Sequence, residues 1–208
     1  MNVELLSTPF LSGALRVGTV ALLALAGGLA ARPRARSQSL GWGVIAGLAY
    51  AALALVAALQ NPDSGGLRAG LLQLMAVVLA AVIALLCHPS HAGEGDQPPA
   101  NAVARVGRIA AWLALIGLAP TIGFHARLLV YRALLEVDWT GLTALAVAAN
   151  GLLLLPAAWS IRGADIAPVR GARAAAVLVL STLIVVGGLY PLLADSATEL
   201  LERAIFVP

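Results

Sequence analysis

Apolar residues in this chain come in long unbroken runs, not in the three-to-four-residue or alternate-residue rhythm of a water-facing surface. Five runs are plain, at about 10–31, 40–60, 69–87, 139–161 and 174–194. Each approaches the roughly 20 residues a helix needs to cross a bilayer. A sixth stretch, 106–137, reads VGRIAAWLALIGLAPTIGFHARLLVYRALLEV. Its apolar run meets Pro120 and Gly123 and only then His125, Arg127, Arg132 and Glu136. Proline and glycine interrupt helices, and the backbone groups they free are tolerated at membrane depth only inside protein or beside water. The pattern predicts an all-α membrane protein in a single domain over 1–208, with about six transmembrane helices, one interrupted near Pro120.

Charge bias decides how 106–137 crosses. As one continuous helix its 32 residues would extend about 48 Å, against a hydrocarbon core of about 30 Å. It is therefore one broken crossing or two short ones. Arg32, Arg34 and Arg36 follow the first run, Arg105 and Arg108 precede the broken stretch, and Arg162, Arg170 and Arg173 follow the 139–161 run. One crossing puts all three clusters on the same side, the cytoplasm by the positive-inside rule; two would split them. The expected topology is six crossings with both termini outside the cytoplasm, in the bacterial inner membrane, which makes the termini periplasmic. The polar stretch at 61–66 is then an outer turn. Residues 88–104, rich in Pro, Gly and Ala, form a cytoplasmic loop. Residues 195–208, with Leu200, Leu201, Ile205 and Phe206 beside Glu199, Glu202 and Arg203, form a short amphipathic tail along the interface.

Composition agrees with a membrane protein and removes other classes. The chain is 61% hydrophobic and 11% charged, where soluble domains carry about 25% charged residues. No soluble catalytic domain remains once the runs are set aside. The net charge of +3 is small and spread between helices, so no nucleic acid is expected as a partner. All 13 cationic residues are arginine, so the chain holds no lysine ammonium to pass a proton. Cys87 is the single cysteine and permits no internal disulfide. His88 and His91 stand without further ligand spacing, so no metal is expected. The N-terminus lacks a basic start and carries Glu4, which speaks against a cleaved signal peptide. Arg16, inside the first run, is a snorkelling or partner-facing candidate.

The candidates for chemistry lie after the break. His125 is of a residue type that gains and loses protons near neutral pH. Arg127 is a fixed positive charge able to hold a carboxylate or tune its neighbours. Arg132 and Glu136 are four apart and so share a helix face, as a local ion pair or as the outer station of a proton path. Asn150 and Gln73 sit inside apolar runs, where such amides bond to a neighbouring helix or to water. Trp112, Trp139 and Trp159 fit interface or packing positions. No nucleotide loop, haem ligand pair, nucleophile elbow or paired-carboxylate arrangement is present, so no catalytic residue and no cofactor is assigned to this chain.

Residues 113–136, LALIGLAPTIGFHARLLVYRALLE, resemble the pattern SLAGIPPTxGFxGKFYLFxAALE of the antiporter-like membrane subunits of respiratory complex I, subunit N of NADH-quinone oxidoreductase above all. Gly117, Pro120, Thr121, Gly123 and Phe124 fall on its fixed positions. The helix bearing Asn150 resembles the family's LNSVIS helix, the GGLYPLLADSATELL ending is similar to the family's LGVWPxPL ending, and ARSQSLGW looks like the start of its AYSSIxHxGY helix. The resemblance implies the C-terminal half of that fold, with 106–137 as the family's second broken helix. It implies partners among the other membrane-arm subunits of a complex-I-like assembly, besides the lipid bilayer. His125, Arg127, Arg132, Glu136 and Asn150 become proton-path or coupling candidates around the break at Pro120 and Gly123. Two departures matter. The family's proton-carrying lysine in GKF is Arg127 here, and the first half-channel has no counterpart in the sequence. The expected function is a reduced subunit-N-like component of a redox-driven, proton-translocating, quinone-linked assembly, with a structural or electrostatic-coupling role. An independent small ion or proton transporter is the alternative, although such carriers usually show matched repeats and only one break is visible.

Overall fold

The computed structural model describes residues 13, 39–87, 102–155, 157–158 and 168–190. The expectations for the 10–31 run apart from Gly13, His88 and His91, Trp159 and the 195–208 tail lie outside the described residues. Among the described residues all regular structure is helical. Six α-helices appear: α1 (Ser39–Gln60), α2 (Gly66–Leu86), α3 (Ala102–Ile116), α4 (Ile122–Glu136), α5 (Thr140–Leu152) and α6 (Ala172–Leu189), with a 3-10 turn at Pro62–Ser64. Residues 102–104, expected in the cytoplasmic loop, instead open α3; their Ala-Val-Ala sequence carries no breaker, so the helix extends back over them.

Among the described residues three helices are long and apolar enough to cross a membrane: Leu40–Gln60, Gly66–Leu86 and Ala172–Leu189. Thr140–Leu152 is a shorter apolar helix. The architecture is that of a helical membrane protein. Lipid is as apolar as leucine, so helices in it associate through close packing of small residues. The buried faces follow that rule. They include Ala46, Ala49, Ala54 and Ala57 on α1, Ala69, Gly70, Ala76 and Ala80 on α2, Ala104, Gly107, Ala111 and Ala114 on α3, and Gly123, Ala126 and Ala133 on α4.

The α1–α2 hairpin is closed by its turn chemistry. The Asn61 side chain accepts from the Asp63 N–H at 3.1 Å, and Pro62 sits where no backbone donor is required. Gly65 takes the left-handed conformation, φ 66°, that reverses the chain into α2. Gly66 lies so close to α1 that a Cβ there would press on Ala54 and Ala58.

α3 and α4 run in one direction along α2. The start of α3 lies at the C-terminal end of α2: Gly107 packs near Ile83 and Cys87, and the Cys87 thiol faces the Ala104 carbonyl at 3.9 Å. Further along, Trp112 and Leu115 pack on Gly43, and Leu115 and Val77 both pack on Gly47. α4 then continues past Tyr50 and reaches the 3-10 turn at the opposite end of the hairpin. Each half has 15 residues, about 22 Å of helix. α5 returns antiparallel to α4, with Ala146 at the level of Tyr50 and Asn150 at the level of Ile116. α6 lies beside α3, from Val177 against Gly107 to Gly188 against Pro120 and Thr121.

The closest approaches are backbone to backbone. A Cβ on Gly123 would overlap the Ala114 carbonyl, and one on Gly188 would overlap the peptide of Thr121. On Gly107 the obstacle is the Val177 side chain. Gly123→Ala is therefore expected to cost more than the roughly 1–3 kcal/mol of ordinary overpacking, while Gly107→Ala stays within that range because a side chain can rotate aside. Unfolding of the two variants in detergent, followed by circular dichroism, checks the order; equal losses would contradict it.

Candidate functional site: the helix break and Arg127

The break is built from the backbone outward. α3 ends at Ile116 and Gly117 adopts φ 72°, a left-handed residue that terminates the helix. The Leu118 N–H donates to the Leu113 carbonyl at 2.9 Å and the Gly117 N–H to the Ala114 carbonyl at 3.2 Å. These two bonds form a Schellman cap. Thr121 then donates its hydroxyl to Leu118 O at 2.7 Å and to Leu113 O at 3.3 Å, tying the start of α4 to the end of α3.

Two terminal carbonyls of α3 remain, and polar side chains from later helices satisfy both. Arg127 Nη2 donates to Leu115 O at 2.7 Å. Asn150 Nδ2 donates to Ile116 O at 2.7 Å. A helix end buried without water must find such partners for its last four carbonyls, and here all four have one.

Arg127 is only 1% exposed. Its guanidinium carbon lies 3.2 Å from the centroid of the Tyr50 ring. Tyr50, fully buried at the middle of α1, donates its hydroxyl to the Ala146 carbonyl on α5. Tyr131 meets Tyr50 edge to face, with centroids 6.3 Å apart. Arg127 thus stands at the negative end of the α3 dipole, bonded to a carbonyl and stacked on an aromatic face. No carboxylate pairs with it among the described residues. Its Nε and Nη1, the Asn150 Oδ1, the Tyr131 hydroxyl, both polar atoms of Gln73 and the Trp112 indole N–H are buried without a partner among those residues.

The other candidates fall elsewhere. Arg132 and Glu136 form an ion pair at 2.7 Å on the outer face of α4, and the Arg132 side chain is 75% exposed. An exposed pair of this kind contributes about 0.5 kcal/mol. His125 is partly buried on α4. Pro120 is exposed at the turn, and Gly123 is buried against α3. Of the sequence candidates the structure brings together Arg127, Asn150 and the break, and leaves Arg132 and Glu136 apart from them. Gln73 packs beside Gly47 on α1, and Trp112 is buried against Gly43, the packing alternative of its two readings. Tyr50 was missed; a tyrosine at the middle of an apolar run was its signal. No group of metal-ligating residues appears among the described residues. No family model matches the chain, and no curated protein matches it.

The energetics of Arg127 nearly cancel. Burying the cation costs several kcal/mol. Against this stand a charge-assisted hydrogen bond of about 1.5–3 kcal/mol, a desolvated cation–π contact of about 2 kcal/mol and a helix-terminus interaction of up to about 2 kcal/mol. Arg127→Met, similar in reach and free of the desolvation cost, is expected to change the stability of the chain by no more than about 2 kcal/mol. Asn150→Ala leaves the buried Ile116 carbonyl bare and is expected to destabilise by about 1–3 kcal/mol. Denaturation of each variant in mixed detergent micelles measures both. A neutral Asn150→Ala would show that its bond to Ile116 carries no weight.

Proposed function

We propose that this chain is a subunit-N-like component of a complex-I-related, redox-driven membrane assembly. In it the chain serves as a structural and electrostatic element, not as a proton carrier. Its topology is six crossings, with α3 and α4 as one interrupted crossing. The observation that supports this reading is the buried fixed cation at the break. Arg127 occupies the position where the pattern GKF carries a lysine, beside a helix interruption at Gly117–Thr121, and the Asn150 of the next helix bonds to the same interruption. An arginine stays charged, so it supplies a permanent field to groups along the membrane arm without passing a proton itself. The location in this reading is the bacterial inner membrane, with membrane-arm subunits and lipid as partners and no cofactor held by this chain.

Purification from native membranes in a mild detergent tests the assembly. The chain is expected to co-purify with redox subunits and with quinone-reductase activity. A monodisperse chain on its own, active in ion flux, would favour the alternative of an independent small transporter. The role of Arg127 has its own test in the reconstituted assembly. Arg127→Lys is expected to lower the assembled yield and to leave the proton-to-electron ratio unchanged, because lysine loses the planar stacking on Tyr50 while the channel for protons lies elsewhere. A changed ratio measured with a pH-sensitive dye would assign Arg127 a part in translocation.

A further inference from the structure

Three side chains around Tyr50 keep polar atoms that the helix break does not use. Arg127 and Tyr131, four residues apart, share one face of α4, and Ala146 and Asn150 share one face of α5. The two helices run antiparallel, and Tyr50 of α1 stands where these faces meet. Its ring lies 3.2 Å from the Arg127 guanidinium carbon, it meets Tyr131 at 75°, and its hydroxyl donates to the Ala146 carbonyl. Asn150 reaches the level of Arg127 from α5, because the two bond to consecutive carbonyls, Ile116 and Leu115, at 2.7 Å each. Beyond those bonds the Arg127 Nε–H and Nη1–H, the Asn150 Oδ1 and the Tyr131 hydroxyl are all buried and without a partner among the described residues.

Buried donors and acceptors left bare are costly, and those of a charged group more so. The chemistry of these four atoms limits what can satisfy them. Arg127 is 1% exposed, Tyr50 is 0% exposed and the four atoms are themselves covered, so neither lipid nor a neighbouring chain reaches them. A metal ion is repelled by the guanidinium. An anion would suit Arg127 but would face the Asn150 Oδ1, which only accepts, and the negative carbonyl end of α3. The set calls for a small neutral group that accepts from Arg127 and donates to Asn150, and water does both. We infer that ordered water is held between α4 and α5 beside Tyr50, accepting from the free Arg127 N–H groups, donating to the Asn150 Oδ1 and bonding to the Tyr131 hydroxyl. The site is closed, since the polar atoms that line it are shielded from the surface. It hydrates a fixed cation in place, and it depends on this chain alone, whichever assembly the chain joins.

Solid-state nuclear magnetic resonance of the full-length, isotope-labelled chain in deuterated lipid bilayers reads the site with water itself as the probe. Magnetisation from water protons is passed, at short mixing times, to the Arg127 side-chain nitrogens, with the exposed Arg132 and the fully buried Leu53 as references. Arg127 is expected to receive it several-fold more slowly than Arg132, and Leu53 to receive none. Tyr131→Phe keeps the ring beside Tyr50 and removes one partner of the water, so transfer to Arg127 is expected to fall several-fold. No transfer to Arg127 in the native chain would mean a dry site, closed by direct contact with Asn150 or by another side chain of the protein, and overturns the proposal. Transfer as fast as at Arg132 would mean a crevice open to bulk water and overturns it too. A shift of the Arg127 nitrogens when chloride is replaced by gluconate would put an anion there instead. Unchanged transfer in Tyr131→Phe would remove the tyrosine from the site, and the bridge as described would fall with it.

Discussion

Breaking a helix inside an apolar medium sets free carbonyls that nothing nearby can hydrate. This constraint organises the structure. The four carbonyls released at the end of α3 are met in two ways: Leu113 and Ala114 by the chain's own turn through Gly117, Leu118 and Thr121, Leu115 and Ile116 by side chains from α4 and α5. The second group fixes tertiary structure as well as satisfying the backbone. Arg127 can reach Leu115 only if α4 doubles close to α3, which the missing Cβ of Gly123 allows. Asn150 can reach Ile116 only if α5 returns to the level of the break. Interruption, close approach and polar side chains are therefore one device.

The same geometry explains why an arginine is tolerated with no carboxylate beside it among the described residues. A buried ammonium is a compact, strongly hydrated point charge, whereas the guanidinium is planar and weakly hydrated. It lies flat over Tyr50 while one nitrogen reaches the Leu115 carbonyl. The α3 C-terminus supplies the partial negative charge that a carboxylate would otherwise bring. A lysine could take the carbonyl bond but not the stacked face. The site is thus shaped for a cation that remains where it is.

Much of the fold was legible because membrane burial writes itself into long runs of one chemistry. The runs at 40–60 and 69–87 correspond closely to α1 and α2, and the interruption near Pro120 to the gap between α3 and α4. The spacing of Arg132 and Glu136 was enough to bring them together, since a helix fixes four-residue neighbours locally. The site itself was less legible. Arg127 and Asn150 were conspicuous as polar residues among apolar ones, but their partners are carbonyls, which every residue carries and no letter of the sequence marks. Tyr50 lies 77 positions before Arg127 and joins it only through the packing of α1 on α4. Trp112 fitted an interface or a packing position equally, and only the structure chooses packing, with its ring in the hollow that Gly43 leaves on α1. Long-range complementarity of a small residue to a large one has no periodicity to reveal it.

α5 shows how far the polar set also serves as adhesive. Its own buried residues are few, Thr143 and Ala146, and the Thr143 hydroxyl bonds back to its own helix at Trp139. In water a helix so lightly packed would be held by the hydrophobic effect, but lipid offers no such force between helices. Among the described residues what remains are the Tyr50 hydroxyl on Ala146 and the Asn150 amide on Ile116, four residues apart on one face of α5. Both bonds lead to the Arg127 site, one through the ring on which the guanidinium rests and one through the carbonyl next to the one it caps. The groups that make the broken helix tolerable are thus the groups that hold its neighbour, so loosening the cation would also loosen α5. A charge placed in this way is tied to helix position by geometry alone.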